Sequence, residues 1–285
     1  MADLILAARG LTYSYGGSAP ALDGLDLDVT RGRKLAILGP NGAGKSTLLL
    51  HLNGTLRPAR GEILLDGVPV GYGRAELNRW RARVGLVLQD PDDQLFAASV
   101  YEDVSFGPVN LGLPEDAARR RTEEALEAMR IAALAERPPH LLSFGQKKRA
   151  AIAGILAMRP DMLLLDEPTA GLDSHGERHL LAALDHLVKD GATIVFTTHD
   201  VDLAYGWADE VALFSHGRVL GQGEPAEMLG DEALLRQARL HMPLLLDLAR
   251  LRHEEGYPYP SGGPPRSREA FADWMRMAPA RSGGG

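Results

Sequence analysis

The segment Gly39-Pro40-Asn41-Gly42-Ala43-Gly44-Lys45-Ser46-Thr47 constrains this chain more than any other, because it follows the apolar run Leu35 to Leu38 and opens a helix-length stretch, Lys45 to Leu52. Glycines at this spacing let the backbone curl so that its N–H groups face phosphate oxygens, and a helix N-terminus adds positive potential. Lys45 supplies a full positive charge for the β- and γ-phosphates and Ser46 a hydroxyl for Mg²⁺. Asn41, Gly42, Gly44 and Thr47 complete the candidate ATP cradle. A strand, a glycine loop and a helix in that order also predict a sheet with helices packed on it.

Further apolar runs support that class. Val84 to Leu88, Met162 to Leu165 and Thr193 to Phe196 each lead into a polar or glycine-bearing loop, as buried strands of a mostly parallel sheet do. Helix-length segments lie between them: Glu115 to Leu134, Lys148 to Met158 and Ser174 to Lys189. Leu4 to Ala8 and Leu25 to Val29 read as antiparallel strands, and Val211 to Phe214 and Arg218 to Gly221 flank a His216-Gly217 turn; these small β elements are expected to dress the sheet edge. From Asp90 to about His140 the pattern turns helical, which predicts a helical insert. Beyond Gly230, Pro243 to Glu255 reads as a helix, Gly256 to Pro265 as a linker and Arg268 to Met277 as a short amphipathic helix around Phe271 and Trp274. The tail from Arg281 to Gly285 is expected to be disordered.

Composition narrows the class of function. A formal charge of −7 gives no electrostatic case for nucleic acid as an obligatory partner. The absence of cysteine removes disulfides, thiolate nucleophiles and cysteine-ligated zinc together. Arg9 interrupts the first apolar run before a secretory signal could develop, and no stretch approaches the roughly 18 to 20 apolar residues that cross a bilayer. A role at a membrane would therefore be peripheral.

Met162-Leu163-Leu164-Leu165-Asp166-Glu167 places two carboxylates at the end of a buried strand. Asp166 is expected to orient the Mg²⁺ shell and Glu167 to act as general base toward the attacking water. His175 and His179 stand four apart on a predicted helix, a spacing able to hold a divalent metal, but no third ligand is evident and a plain surface helix is the expectation.

A phosphate loop and an acidic strand end are common to many nucleotide hydrolases and kinases. Leu142-Ser143-Phe144-Gly145-Gln146 ahead of the acidic strand and Pro168-Thr169-Ala170-Gly171-Leu172-Asp173 after it narrow the choice. With them the chain resembles the ATP-binding cassette (ABC) transporter ATPases over about Leu4 to Gly230, the first segment being similar to the family's signature loop and the second to its D-loop. The resemblance implies an α/β P-loop NTPase fold with a RecA-like core, an antiparallel β subdomain and a helical subdomain inserted at about 90–145. The cassette spans residues 1–230, and a C-terminal helical extension follows over 231–285.

The same resemblance implies a head-to-tail ATPase dimer, in which Ser143, Gly145, Gln146 and Asp173 of one subunit serve the ATP held by the phosphate loop of the other. Phe144 departs from the family's commoner glycine. Gln89 looks like the Q-loop glutamine, able to reach Mg²⁺ or the water, and His199 like the switch histidine that contacts the γ-phosphate. Tyr15 or Tyr13 is expected to stack on adenine.

Gln89-Asp90-Pro91-Asp92-Asp93-Gln94-Leu95-Phe96 and Phe144-Gly145-Gln146-Lys147-Lys148-Arg149 are similar to the ATPases of energy-coupling factor (ECF) importers, especially the cobalt and nickel group, with vitamin importers of the same class an alternative. Such ATPases work at the cytoplasmic face of the membrane with an integral coupling subunit and a small substrate-binding membrane component. A second ATPase completes the assembly, and an identical copy is the simpler expectation. A non-transport ABC protein would carry two cassettes or long coiled-coil insertions, and a P-loop kinase would leave Ser143 to Gln146 unexplained. Glu167 argues against a nucleotide-gated module without turnover.

Overall fold

The computed structural model describes residues 3–17 and 19–277. Strands β1 (Leu4–Tyr13) and β2 (Leu22–Thr30) pair antiparallel, and β3 (Lys34–Leu38) runs through the glycine loop into helix α1 (Lys45–Leu52). A short antiparallel pair follows, β4 (Arg60–Leu65) and β5 (Val68–Pro69), and then helix α2 (Arg74–Arg83) and strand β6 (Val84–Val87). Helices α3 (Val100–Asn110), α4 (Glu115–Ala128) and α5 (Phe144–Leu156) separate β6 from β7 (Met162–Leu165). Next come α6 (Ser174–Lys189), β8 (Thr193–Thr198), α7 (Val201–Trp207) and the hairpin β9 (Glu210–Ser215) and β10 (Arg218–Gly223). Helices α8 (Pro225–Met228), α9 (Glu232–Ala238), α10 (Leu244–Glu254) and α11 (Arg268–Met275) end the described chain.

The main sheet has the order β10-β9-β3-β8-β7-β6, parallel throughout except for β10 at its edge. Its residues alternate between two cores, as the period-2 geometry of a strand demands. Leu35, Ile37, Met162, Leu164, Val195 and Phe214 face one core; Ala36, Leu38, Leu163, Leu165, Phe196 and Leu213 face the other. Each fully buried aliphatic side chain of this kind contributes roughly 1.5–3 kcal/mol.

The first core departs from the expectation that the N-terminal strands extend the main sheet's edge. They build a second sheet, ordered β2-β1-β4-β5, laid over the main one, and only the β9–β10 hairpin extends the edge. Ile5, Leu11, Leu25, Leu27 and Val29 on its inner face pack on Ile37 and Phe214, with Leu48, Leu49 and Leu52 of α1 between the sheets. An apolar strand face must be covered, and the main sheet offers that cover.

Helices cover the other face. The helix expected over Glu115 to Leu134 stops at Ala128, because Arg130 turns left-handed (φ 54°) and the Ile131 N–H bonds back to the Leu126 carbonyl at 2.9 Å, a helix stop that satisfies the last carbonyls. The helix expected from Lys148 begins earlier, at Phe144, because Ser143 caps it: its hydroxyl accepts from the Gln146 N–H and the Gln146 side chain accepts from the Ser143 N–H. After residue 230, Leu235, Ala238 and Leu246 join the same core as α5 and α6. Trp274 of α11 is buried and donates its indole N–H to the Pro258 carbonyl at 2.9 Å. The tail from Arg281 to Gly285 lies outside the described residues. No described helix is long and apolar enough to cross a membrane.

Candidate nucleotide site

The carboxyl ends of β3, β6, β7 and β8 meet at one edge of the main sheet, where an open α/β sheet places its ligands. A cleft of about 830 Å³ opens there, lined by the phosphate loop from Asn41 to Thr47 together with Tyr15, Gln89, Asp166 and Glu167. Two glycines of the loop are dictated by space. A Cβ on Gly39 would stand 2.1 Å from the Phe214 carbonyl oxygen, and Gly44, at φ 107°, would press one to 2.3 Å from the Ala21 carbonyl. Side chains at either place would push the loop off the strands that hold it.

Lys45 is nearly buried, and its ammonium donates to the carbonyls of Gly39 (2.8 Å) and Pro40 (3.2 Å). Burial draws its pKa down, opposed by the charges of Glu167 and Asp166 across the cleft. An ammonium has three donors, so the loop carbonyls leave one for a phosphoryl oxygen.

Asp166 and Glu167 are buried and share one hydroxyl. Thr197 donates to Asp166 Oδ1 at 2.5 Å and accepts from the Glu167 backbone N–H at 3.0 Å. Glu167 adopts a left-handed backbone, φ 46°, a conformation that costs on the order of 1 kcal/mol or more outside glycine and persists where surrounding bonds enforce it. Its carboxylate Oε2 lies 3.0 Å from His199 Nδ1; a carboxylate only accepts, so the imidazole donates from Nδ1 and keeps Nε2 for another contact. His199 itself is exposed, just ahead of α7, whose first turn Asp200 caps. The arrangement offers a positive loop for phosphates, a carboxylate for a water proton, and an imidazole that orients the carboxylate.

An all-oxygen donor set also meets in the cleft: the Ser46 hydroxyl, the Gln89 side chain and the Asp166 carboxylate, one of whose oxygens Thr197 holds. Hard oxygen donors of this kind suit Mg²⁺ rather than a softer ion.

Comparison with known proteins agrees with this geometry. Residues 22–170 match the family profile described as ABC transporter. The chain is 59% identical over 271 residues to the cobalt import ATP-binding protein CbiO of Rhodobacter capsulatus, covering 95% of this chain and 97% of that protein. This chain is an ABC transporter ATPase. It is also 47% identical over 249 residues to the energy-coupling factor transporter ATP-binding protein EcfA of Methanothermobacter thermautotrophicus, covering 87% of this chain and 80% of the other. Among solved structures it is similar to CbiO1 of Clostridium perfringens, part of the ABC transporter complex CbiONQ, with a TM-score of 0.74, 45% identity, and coverage of 89% of this chain and 99% of that one. The dimeric post-hydrolysis state of an ATP-binding cassette bound to ADP and Pi matches at a TM-score of 0.70 and 28% identity, covering 77% and 98%.

The ATPase binds ATP, and the structure divides the expected contacts between two surfaces. Tyr15 lines the cleft, its hydroxyl 3.3 Å from the Thr47 hydroxyl, while Tyr13 sits behind it, edge-on to both Tyr15 (5.0 Å) and the buried His51 (4.7 Å). Ser143, Gly145, Gln146 and Asp173 do not line the cleft. Ser143 and Asp173 instead cap α5 and α6, whose starts lie side by side. Phe144, at the position where the family commonly has glycine, packs its ring over Gly171 so closely that a Cβ there would meet it at 2.6 Å, and Gly145 lies against Leu172. The signature-like loop and the D-loop-like segment thus form one continuous surface.

His175 and His179 face each other across one turn of α6, 2.8 Å between their Nε2 atoms, with the Arg130 guanidinium 3.3 Å from His179. No group of three or more metal-ligating side chains occurs among the described residues.

Sequence reasoning gave no role to Thr197 or Lys148. Thr197 carries a weak signal, a hydroxyl at the end of an apolar strand two residues before His199. Lys148 enters only as part of the Phe144 to Arg149 segment similar to ECF ATPases, and nothing in that polar run marks its side chain as buried.

Proposed function

We propose that this ATPase energises import of cobalt (or nickel) ions as the ATP-hydrolysing subunit of an ECF-type importer, peripheral on the cytoplasmic face of the membrane. The observation that carries the reading is the division of the machinery into two half-sites. Lys45, Asp166 and Glu167 meet in one cleft, with His199 on Glu167, whereas exposed Ser143 and its neighbours at the start of α5 stand on another surface. Two copies arranged head to tail bring the second half-site of each to the ATP of the other, and one chain with both halves makes a homodimer the economical assembly.

In the proposed reaction Lys45 and the loop N–H groups hold the β- and γ-phosphates, and Tyr15 packs on the adenine. Glu167 takes a proton from the water that attacks the γ-phosphorus; the bond from water oxygen to phosphorus forms, and the bond from phosphorus to the β–γ bridging oxygen breaks, releasing ADP and phosphate. His199 holds Glu167 by its Nδ1–H and presents Nε2 toward the γ-phosphate. Ser46, Gln89 and Asp166 would hold Mg²⁺, which would supply charge neutralisation on the phosphates. Ser143, Gly145, Gln146 and Asp173 act from the opposite subunit.

Membrane partners are supported by an apolar patch on the helical insert: Phe96 and Phe106, 67% and 51% exposed, stack edge-on at 4.8 Å beside exposed Val109. An apolar patch of this kind suits a helix of an integral coupling subunit, which in turn carries a small substrate-binding membrane component. Nucleic acid has no place in the assembly. The cargo follows from the likeness to the cobalt import protein of Rhodobacter capsulatus.

The test is recovery of tagged Glu167→Gln protein from native membranes with ATP and Mg²⁺, followed by mass spectrometry, together with uptake of labelled Co²⁺ by cells carrying Lys45→Ala. A coupling subunit and a small membrane protein in the eluate, with Co²⁺ uptake abolished, are expected. Unchanged Co²⁺ uptake with a vitamin transport defect would overturn the cargo, and ribosomal or DNA-bound partners would overturn the transport role.

A further inference from the structure

Lys148 lies on the inward face of α5, fully buried, among Ala151, Ile152 and the ends of two strands. Its ammonium donates to the carbonyls of Gln89 at 2.7 Å, Asp166 at 3.3 Å and Leu88 at 3.4 Å. No carboxylate lies within ion-pairing distance of it among the described residues, whereas its neighbour Lys147 pairs with Asp92 at 2.6 Å on the surface.

A buried charge held only by carbonyls is costly, and a methionine of similar length would fill the same space without that cost. What methionine cannot do is bind three carbonyls at once. Those carbonyls come from Leu88, just past the end of β6, from Gln89 next to it, and from Asp166, just past the end of β7; Gln89 and Asp166 line the nucleotide cleft. The helix that supplies the ammonium begins at Ser143, the half-site on the other surface.

We infer that Lys148 is a positioning residue for ATP hydrolysis: its ammonium binds the Leu88, Gln89 and Asp166 carbonyls to α5, so that Gln89, the acidic pair and the Ser143 end of the helix keep one fixed relation. The inference rests on the proposed roles of Gln89, Asp166 and Glu167. It assigns Lys148 no contact with ATP, so its loss should leave nucleotide binding to the Lys45 loop and disturb only the geometry of the reacting groups.

The test compares Lys148→Met, Lys148→Gln and Glu167→Gln with the wild-type chain. For Lys148→Met, kcat for ATP hydrolysis is expected to fall on the order of 10²-fold while KM for ATP stays level and the thermal midpoint changes little, because a misplacement of about 1 Å has that effect on rate and relief of the buried charge offsets the carbonyls left without a donor. Lys148→Gln, which keeps amide donors without charge, is expected to recover part of the lost kcat. Wild-type kcat in Lys148→Met overturns the inference, as does a fall in kcat that tracks a falling midpoint and a rising KM, since that is plain structural damage; failure of Lys148→Gln to exceed Lys148→Met overturns it too. Normal turnover by Glu167→Gln would instead remove the catalytic reading on which the inference depends.

Discussion

Replacing Thr197 by valine removes one oxygen and changes little else in shape, yet two buried groups depend on that oxygen. Asp166 Oδ1 loses a donor at 2.5 Å and the Glu167 N–H loses an acceptor at 3.0 Å. A hydrogen bond to a charged group contributes about 1.5–3 kcal/mol, and a buried N–H left unpaired costs about 1–3 kcal/mol. The added methyl recovers about 1 kcal/mol of burial. The net expectation is a loss of about 3 kcal/mol. A methyl carbon also cannot stand 2.5 Å from a carboxylate oxygen, so Asp166 must move and carry Glu167 with it. Urea unfolding followed by tryptophan fluorescence reads the first effect through the buried Trp80 and Trp274; with an m value of about 3 kcal/mol/M the midpoint should fall by about 1 M. The ATPase rate reads the second, with a fall on the order of 10²-fold. Thr197→Ser keeps the hydroxyl and loses a methyl, which costs about 1 kcal/mol, and should retain most of the turnover. Equal stability and equal activity of the valine and serine variants would refute the reasoning, because only the hydroxyl separates them in function.

Glu167→Gln should lower kcat by roughly 10²- to 10⁴-fold with ATP binding retained, and gel filtration with ATP and Mg²⁺ should show a longer-lived dimer. Lys45→Ala and Ser143→Arg chains, each inactive alone, should recover about a quarter of wild-type turnover when mixed in equal amounts, since half of the dimers then hold one intact composite site; mixtures as silent as their components would mean that each site is built within one chain. His51 is buried with Nδ1 bonded to the Thr47 carbonyl at 2.8 Å, and burial holds its pKa below the ordinary value despite that bond. The unfolded chain therefore takes up the proton first as pH falls through about 6.5, stability is lost in that direction, and His51→Phe should flatten the fall of the urea midpoint between pH 7 and 5. Gly171→Ala should cost about 1–3 kcal/mol, because its φ is 76° and the new Cβ would stand 2.6 Å from the Phe144 ring; in a thermal double-mutant cycle, Phe144→Ala should relieve part of the loss.

The phosphate loop, the acidic pair and His199 were legible because each is local. A strand, a turn and a helix start adjoin in sequence, and the spacing of Gly39, Gly44 and Lys45 states their geometry without knowledge of the rest of the fold. The helix ends were less legible. Arg130 stops α4 by a left-handed turn that helical periodicity does not foresee, and Ser143, read as part of the signature-like loop, starts α5 by a capping box four residues before the Lys148 start that the apolar pattern suggests. Strands β4 and β5 went unforeseen because Arg60, Gly61 and Glu62 are exposed and Val68–Pro69 is only two residues long.

What sequence could not show are the groups whose meaning arises from pairing. Thr197 serves the acidic pair because β7 and β8 run parallel with Leu165 beside Phe196, which sets the next residue of β8 against the next of β7 across 31 positions of chain. Lys148 reaches Gln89 and Asp166 because α5 crosses the ends of β6 and β7, although nothing in its polar neighbourhood marks it as buried. Both place fixed donors where the parallel strands end, Thr197 on the Asp166 carboxylate and Lys148 on the backbone carbonyls of Leu88, Gln89 and Asp166. Strand order thus accounts for the chemistry as much as the motifs do: the motifs bring the groups that meet the nucleotide, and the register of β6, β7 and β8 brings the buried donors that hold those groups still.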